Sequence, residues 1–277
     1  MGKVFSWYEI IEHKVPELQN FPKVTDRANL LITGCQAIIG AIIYGSILRN
    51  DHSRRSDIDG IILFKGKMRL EAMKILQEID YYTNKLHVPL EFIPIDDRLA
   101  DTSMHSIELS FYNHLSWAAK NGGVVKFNPL PFISFNKANI NEELKNYLRY
   151  KNSRLYKAWP SLCQMQQRHY EFMQKILEAP IYIARKMLRW RNVDLNDDSK
   201  KVIKNLYPRY FPHIDLITCF KQVNSIDDEY TEILSQQTKN PNEKKYAKTL
   251  EKIKSVIPAV FDFILLNMLI IEGKITI

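Results

Sequence analysis

The sequence predicts an α+β fold: a small mixed β-sheet domain with flanking helices, followed by an α-helical bundle. Three observations lead to it. Apolar runs at 37–43, 61–64 and 90–95 are short and bounded by Gly, Pro or Asp, as buried strands are. Residues 67–86 carry apolar side chains at three- and four-residue steps, which places one amphipathic helix between the second and third strands. Beyond residue 136 almost every segment has the helical period. The chain of 277 residues is long enough for two cores, so the boundary is set near residue 136, giving an α/β domain over 1–136 and a basic helical bundle over 137–277.

The elements follow in order. Residues 5–20 and 27–36 read as helices. GAIIYGS gives a strand ending at Gly45, and DIDGIILF gives the next. HVPLEFIPID gives the third, with Pro89 near its start and Pro94 near its end, where proline is tolerated. Residues 106–121 form another helix stopped by Gly122 and Gly123, and VVKFNPLPFISFN reads as the connector between the halves. Helices are then expected at 141–158, 160–178, 180–192, 197–206, 213–238 and 242–272, punctuated at 196–198 and at 240–242.

Composition excludes several classes. The start of the chain has no apolar leader and carries charges throughout. The longest apolar run, VIPAVFDFILLNMLII, is interrupted by Asp262 and Asn267, so a buried final helix is expected and no membrane span. Cys35, Cys163 and Cys219 form no CxxC pair, which argues against a disulfide framework or a thiolate zinc site and fits a cytoplasmic protein. The seven histidines make no HxxxH or HExxH pair, and there is no GxSxG. The Gly40–Gly45 spacing matches a P-loop, but the lysine is missing and the spacers are apolar, so it is strand.

One constellation carries chemistry. An apolar strand runs into Gly45-Ser46, ten residues follow, and Asp57-Ile58-Asp59 opens the next apolar strand. Residues two apart on a strand project from one face, so Asp57 and Asp59 can share one or two hard divalent cations, for which magnesium is suited. Gly45 lets backbone approach a phosphate, and Ser46 adds a hydroxyl and an N–H. Glu91, flanked by Leu90 and Phe92, supplies a third carboxylate on the third strand. In isolation an Asp-x-Asp at a strand start reads equally as a turn or a cap.

Gly45-Ser46, then Asp57-Ile58-Asp59, then Leu90-Glu91-Phe92 together resemble the signature of the DNA polymerase β-like nucleotidyltransferase superfamily. The resemblance covers residues 40–95 and leaves the helical half unmatched. It implies a nucleotidyltransferase with two magnesium ions at Asp57, Asp59 and Glu91, an NTP whose phosphates are gripped by Gly45 and Ser46, and release of pyrophosphate. Within the superfamily the third strand and the helical half resemble the antibiotic nucleotidyltransferases and, equally, the toxin-type nucleotidyltransferases, whose activity is held by an antitoxin protein. A catalytically silent nucleotide- or RNA-binding module with the same fold is the alternative.

Charge separates the halves. Residues 1–136 carry 15 Lys+Arg and 15 Asp+Glu, whereas 137–277 carry 24 and 16, the whole of the net +8. Arg149, Lys151, Arg154 and Lys157 alternate with Tyr147, Tyr150, Tyr156 and Trp159, and Arg185, Lys186, Arg189 and Arg191 surround Trp190. Cations between aromatics suit phosphate contact with base stacking, and equally a solvated helix face over an aromatic core. Arg154 and Lys157, three apart, share a helix face and are expected to bind the nucleotide triphosphate. A basic acceptor side favours an anionic acceptor such as RNA or tRNA over a polycationic aminoglycoside.

Overall fold

The computed structural model describes residues 3–136, 139–158, 167–193, 195, 199–237 and 239–276. In chain order the elements are α1 (Trp7–Ile11), α2 (Asn20–Gly34), β1 (Ile38–Tyr44), α3 (Ser46–Arg49), β2 (Ile58–Phe64), α4 (Arg69–Leu86), β3 (Leu90–Asp96), β4 (Ile107–Glu108), α5 (Leu109–Lys120), β5 (Val124–Lys126) and β6 (Phe135–Asn136). They continue as α6 (Ile140–Ala158), α7 (Gln167–Trp190), α8 (Lys200–Tyr210), α9 (Ile214–Gln237), α10 (Glu243–Ser255) and α11 (Ile257–Ile271). Trp159, Cys163 and the expected cap at 196–198 lie outside the described residues. The fold is a small mixed sheet with helices, joined to a helical region. Two compact units divide the chain: 15–138, and 1–14 together with 139–277.

In the α/β unit a four-stranded sheet runs in the order β3-β2-β1-β5. β1 is antiparallel to β2 and to β5, while β2 and β3 are parallel, as their connection through α4 requires. Alternation assigns each side chain to a face. Ala41 on β1 and Ile62 and Phe64 on β2 pack with Ala28, Ile32, Ala72 and Ile79 of α2 and α4. Ile42 on β1, Ile61 and Leu63 on β2 and Ile95 on β3 pack with Leu115 and Ala118 of α5. Both faces of the central strands are covered, which is why β1 and β2 read as nearly continuous apolar runs. Pro94 is accommodated because β3 is an edge strand.

The expected connector is structural instead. Val124–Lys126 adds β5 beside β1, and Phe135–Asn136 pairs with Ile107–Glu108. Three and two residues are too few to show a strand period in sequence, and two prolines mask them.

In the helical unit α11 packs against α6, α7 and α9. Its core is aromatic: the Tyr207 ring lies 4.8 Å from both Phe211 and Phe220, and Phe220 stacks on Phe263 at 5.5 Å. Asn267, which interrupts the apolar run, is fully buried and accepts a 2.7 Å hydrogen bond from the Tyr207 hydroxyl. The segment Glu243–Ile271 is long and apolar enough to cross a membrane by length and composition, yet half of its most apolar window is buried inside the protein. The helix expected over 242–272 divides at Val256, because Pro258 in the first turn of α11 has no N–H to continue the ladder.

The first helix is shorter than expected. α1 spans five residues behind a Ser6–Glu9 capping box and ends before His13, whose φ is 55°. The segment before it packs within the helical unit: Val4 and Phe5 are buried, the Phe5 N–H donates to the Tyr230 hydroxyl at 3.1 Å, and its carbonyl accepts from Tyr246 at 2.9 Å. The second helix begins at Asn20 rather than 27. Pro180 and Pro208 lie inside α7 and α8, so the break expected at 178–180 is absent.

Candidate active site

Asp57-Ile58-Asp59 is resolved by the pleat of β2. Ile58 is fully buried among Phe21, Val24, Ile43 and Val88, so the carboxylates on either side of it point to the opposite face. Pairing then fixes their neighbours. Tyr44 is the antiparallel partner of Asp59 on β1, and Glu91 is its parallel partner on β3. Register partners project from the same face, so Tyr44, Asp59 and Glu91 form a row across three strands with Asp57 beside it. The Ile58 N–H donates to the Pro89 carbonyl at 2.9 Å, which ties the start of β2 to the start of β3.

Two glycines are demanded by this geometry. Gly45 ends β1 with φ 91° and ψ −154°, a backbone region that is nearly exclusive to glycine, and a Cβ there would lie 3.2 Å from Asp59 Oδ2. Gly60 is crossed by the Phe92 ring, which a Cβ would meet at 2.0 Å. Ser46 follows as the first residue of the single-turn α3, half-buried, and its carbonyl accepts from the Asp51 N–H at 3.1 Å.

Electrostatics converge on Tyr44. Its ring is wedged between Phe111 and His114 of α5, each at 5.4 Å. Burial pushes its hydroxyl pKa far up, and the charges of Asp59, Glu91 and Asp57 raise it further. The phenol therefore stays protonated across the biological pH range and senses all three carboxylates.

The donor chemistry fits magnesium: hard carboxylate oxygens on one face, reachable from solvent because Glu91 is exposed and Asp57 and Asp59 are partly so. Among the described residues no group of three His, Cys, Asp or Glu side chains converges as a ready-made metal cage. Magnesium does not require one, since it commonly keeps several waters and binds through one or two carboxylates plus substrate phosphates.

Of the residues singled out in the sequence, Gly45, Ser46, Asp57, Asp59 and Glu91 meet at one end of the sheet. Arg154 and Lys157 lie on α6 of the helical unit, both exposed. An open depression of about 640 Å³ is lined by Leu63, Asp97, Asp101 and Phe132. It opens near the other end of β2, roughly 13 Å along the strand from Asp59, so it is separate from the Asp57–Asp59–Glu91 cluster. Sequence reasoning missed Tyr44, which reads as one more apolar strand residue. In the spacer Arg55 is 1% exposed, and the Arg49 side chain is nearly buried, with Asp51 at 3.4 Å.

A small mixed sheet with helices on both faces, followed by a helical region, is consistent with a nucleotidyltransferase domain plus a helical domain. Residues 32–105 match the family model described as a nucleotidyltransferase domain, and this part of the chain is a nucleotidyltransferase domain of the polymerase β-like superfamily. Gly45, Ser46, Asp57, Asp59 and Glu91 all fall inside the matched span; Arg154 and Lys157 fall outside it. Among curated proteins no sequence matches the chain.

Proposed function

We propose that the protein transfers a nucleoside monophosphate from an NTP to a hydroxyl acceptor in a magnesium-dependent reaction, with RNA or tRNA as the favoured acceptor and protein as the other. The observation that carries this reading is the row Tyr44–Asp59–Glu91 with Asp57 on the same face, closed by the glycine-only turn at Gly45. Asp57 and Asp59 are assigned to hold magnesium, with Glu91 completing the donor set. Bound there, the ion neutralises phosphate charge and orients the α-phosphate for in-line attack.

The remaining roles belong to the chain. Gly45 and Ser46 offer backbone and hydroxyl donors to the phosphates. The acceptor oxygen forms a new bond to the α-phosphorus, the bond to the bridging oxygen breaks, and pyrophosphate leaves with its electron pair. The acceptor's proton passes to Glu91 where that carboxylate is not a magnesium ligand, and otherwise to water. Tyr44, held neutral, borders the carboxylates without adding charge. The net positive charge of the helical half supports an anionic acceptor.

The test is to incubate the protein with labelled NTPs and magnesium, offering total tRNA, cell protein and a panel of aminoglycosides and lincosamides. Label on RNA or protein, with pyrophosphate release, is the expected result. The double variant Asp57→Asn/Asp59→Asn should lose both transfer and magnesium-dependent NTP binding. Transfer that persists in it would sink the assignment, and label confined to an antibiotic would overturn the acceptor class.

A further inference from the structure

The exposed face of α6 carries a run of polar, aromatic and basic side chains. Asn146, Arg149, Tyr150, Ser153, Arg154 and Lys157 are all exposed, at steps of three, one, three, one and three residues. That is one continuous helical stripe, whose Arg149–Lys157 span rises roughly 12 Å. Several cations of this unit are matched by acids: Lys186 with Glu143, Lys204 with Asp228, Lys252 with Glu229, Lys145 with Glu272. Among the described residues no carboxylate pairs with Arg149, Arg154 or Lys157. Arg149 reaches only the Asn146 side-chain oxygen at 3.4 Å, and Arg154 donates to the Tyr150 hydroxyl at 2.6 Å.

Tyr150 is 52% exposed, with the Arg154 guanidinium 5.4 Å from its ring centroid. The ring is thus held by Arg154 and half exposed to solvent. Beside the stripe, Lys151, Arg154 and Lys175 border a cavity of about 20 Å³ together with Leu155, Phe172 and Ile176. That volume admits one water-sized group, such as a phosphate oxygen, and no base. Burial depresses the Lys151 pKa first, and the neighbouring Arg154 and Lys175 charges add to it, while Glu178 opposes them. An anion at this point meets three cations, Lys151, Arg154 and Lys175, with the Glu178 charge also acting on Lys151.

We propose that the exposed face of α6 binds the sugar-phosphate backbone of a single-stranded nucleic acid, with Arg149, Arg154 and Lys157 on successive phosphates and one base stacked on Tyr150. A positive track with an aromatic platform is how single strands are held without sequence preference. The proposal deepens the acceptor reading of the preceding section and assigns Arg154 and Lys157 to a strand rather than to the triphosphate. It concerns binding alone and stands or falls without catalysis.

Binding is measured by fluorescence anisotropy with a labelled oligouridylate of roughly a dozen nucleotides, the matching oligodeoxynucleotide, and heparin as a polyanion without bases. The full chain is used in its Asp57→Asn/Asp59→Asn form with EDTA present, so loss of catalysis cannot affect the result. Three phosphate contacts predict that Arg149→Ala/Arg154→Ala/Lys157→Ala flattens the slope of log K against log salt by about 2. Tyr150→Ala should weaken either oligonucleotide about fivefold or more, Tyr150→Trp should restore it, and heparin should respond to neither. RNA bound more tightly than DNA names RNA as the strand, and the reverse names DNA; both support the proposal. An unchanged slope in the triple variant, heparin weakened by Tyr150→Ala as much as the strands are, or displacement of the strand by equimolar ATP would overturn it. Far-ultraviolet dichroism and melting of each variant confirm that α6 still folds.

Discussion

Replacing Gly45 with alanine tests whether the turn between β1 and α3 is built for the carboxylate beside it. Two costs follow from the structure. The backbone sits at φ 91° and ψ −154°, where an L side chain is strained by about 1–3 kcal/mol. The new methyl also stands 3.2 Å from Asp59 Oδ2, so one of them must give. A loss of about 1–3 kcal/mol corresponds to roughly 5- to 150-fold in the opening equilibrium of the strand ends. The assay is native-state hydrogen exchange at two amides that close this end of the sheet: Ile43, bonded to the Gly123 carbonyl at 2.8 Å, and Ile58, bonded to the Pro89 carbonyl. Gly34→Ala is the control, because Gly34 has an ordinary φ and nothing within 4 Å of its would-be Cβ. It should be neutral or slightly stabilising. If both amides of Gly45→Ala exchange within twofold of the unaltered protein, the reasoning about the turn is wrong.

The other predictions concern the helical unit. Asn267→Leu leaves the buried Tyr207 hydroxyl without its 2.7 Å acceptor and should cost about 1–3 kcal/mol in urea unfolding, whereas adding Tyr207→Phe should recover most of it; strictly additive losses would refute the pairing. Burial raises the Glu9 pKa, but hydrogen bonds from Lys3 and the Ser6 N–H outweigh it, so the folded value lies below the ordinary glutamate value. The cap's stabilisation is therefore fully present above the unfolded glutamate pKa and lost as pH falls through the lower folded value. Exchange at the Ser6 amide should accelerate in that acidic window beyond its intrinsic pH dependence, and Glu9→Gln should abolish the acceleration.

How far the fold could be read locally varies with the element. Asp57-Ile58-Asp59 announced both its strand and its face, because a period of two is written into adjacent residues. Gly45 and Ser46 were equally legible, since the turn needs a residue type and not a distant partner. β5 and β6 were not, being too short to show a period, and α1 was overextended because Pro16 and the left-handed His13 interrupt an otherwise helical composition. Glu91 was placed by strand order. That it stands level with Asp59 rather than one residue off depends on the β2–β3 register, and a slip of one would have turned it to the other face.

The sequence by itself therefore determined β1, β2 and β3, the carboxylates they carry, the glycine turn and the helical, basic character of the second half. Tertiary structure alone decided that Tyr44 joins the acidic row, that Arg55 is buried, that residues 3–14 pack within the helical unit, and that among the described residues no carboxylate pairs with Arg149, Arg154 or Lys157. The physical reason is range. Backbone periodicity and turn chemistry are settled within a few residues, whereas register, burial and ion pairing are settled by partners tens to hundreds of residues away.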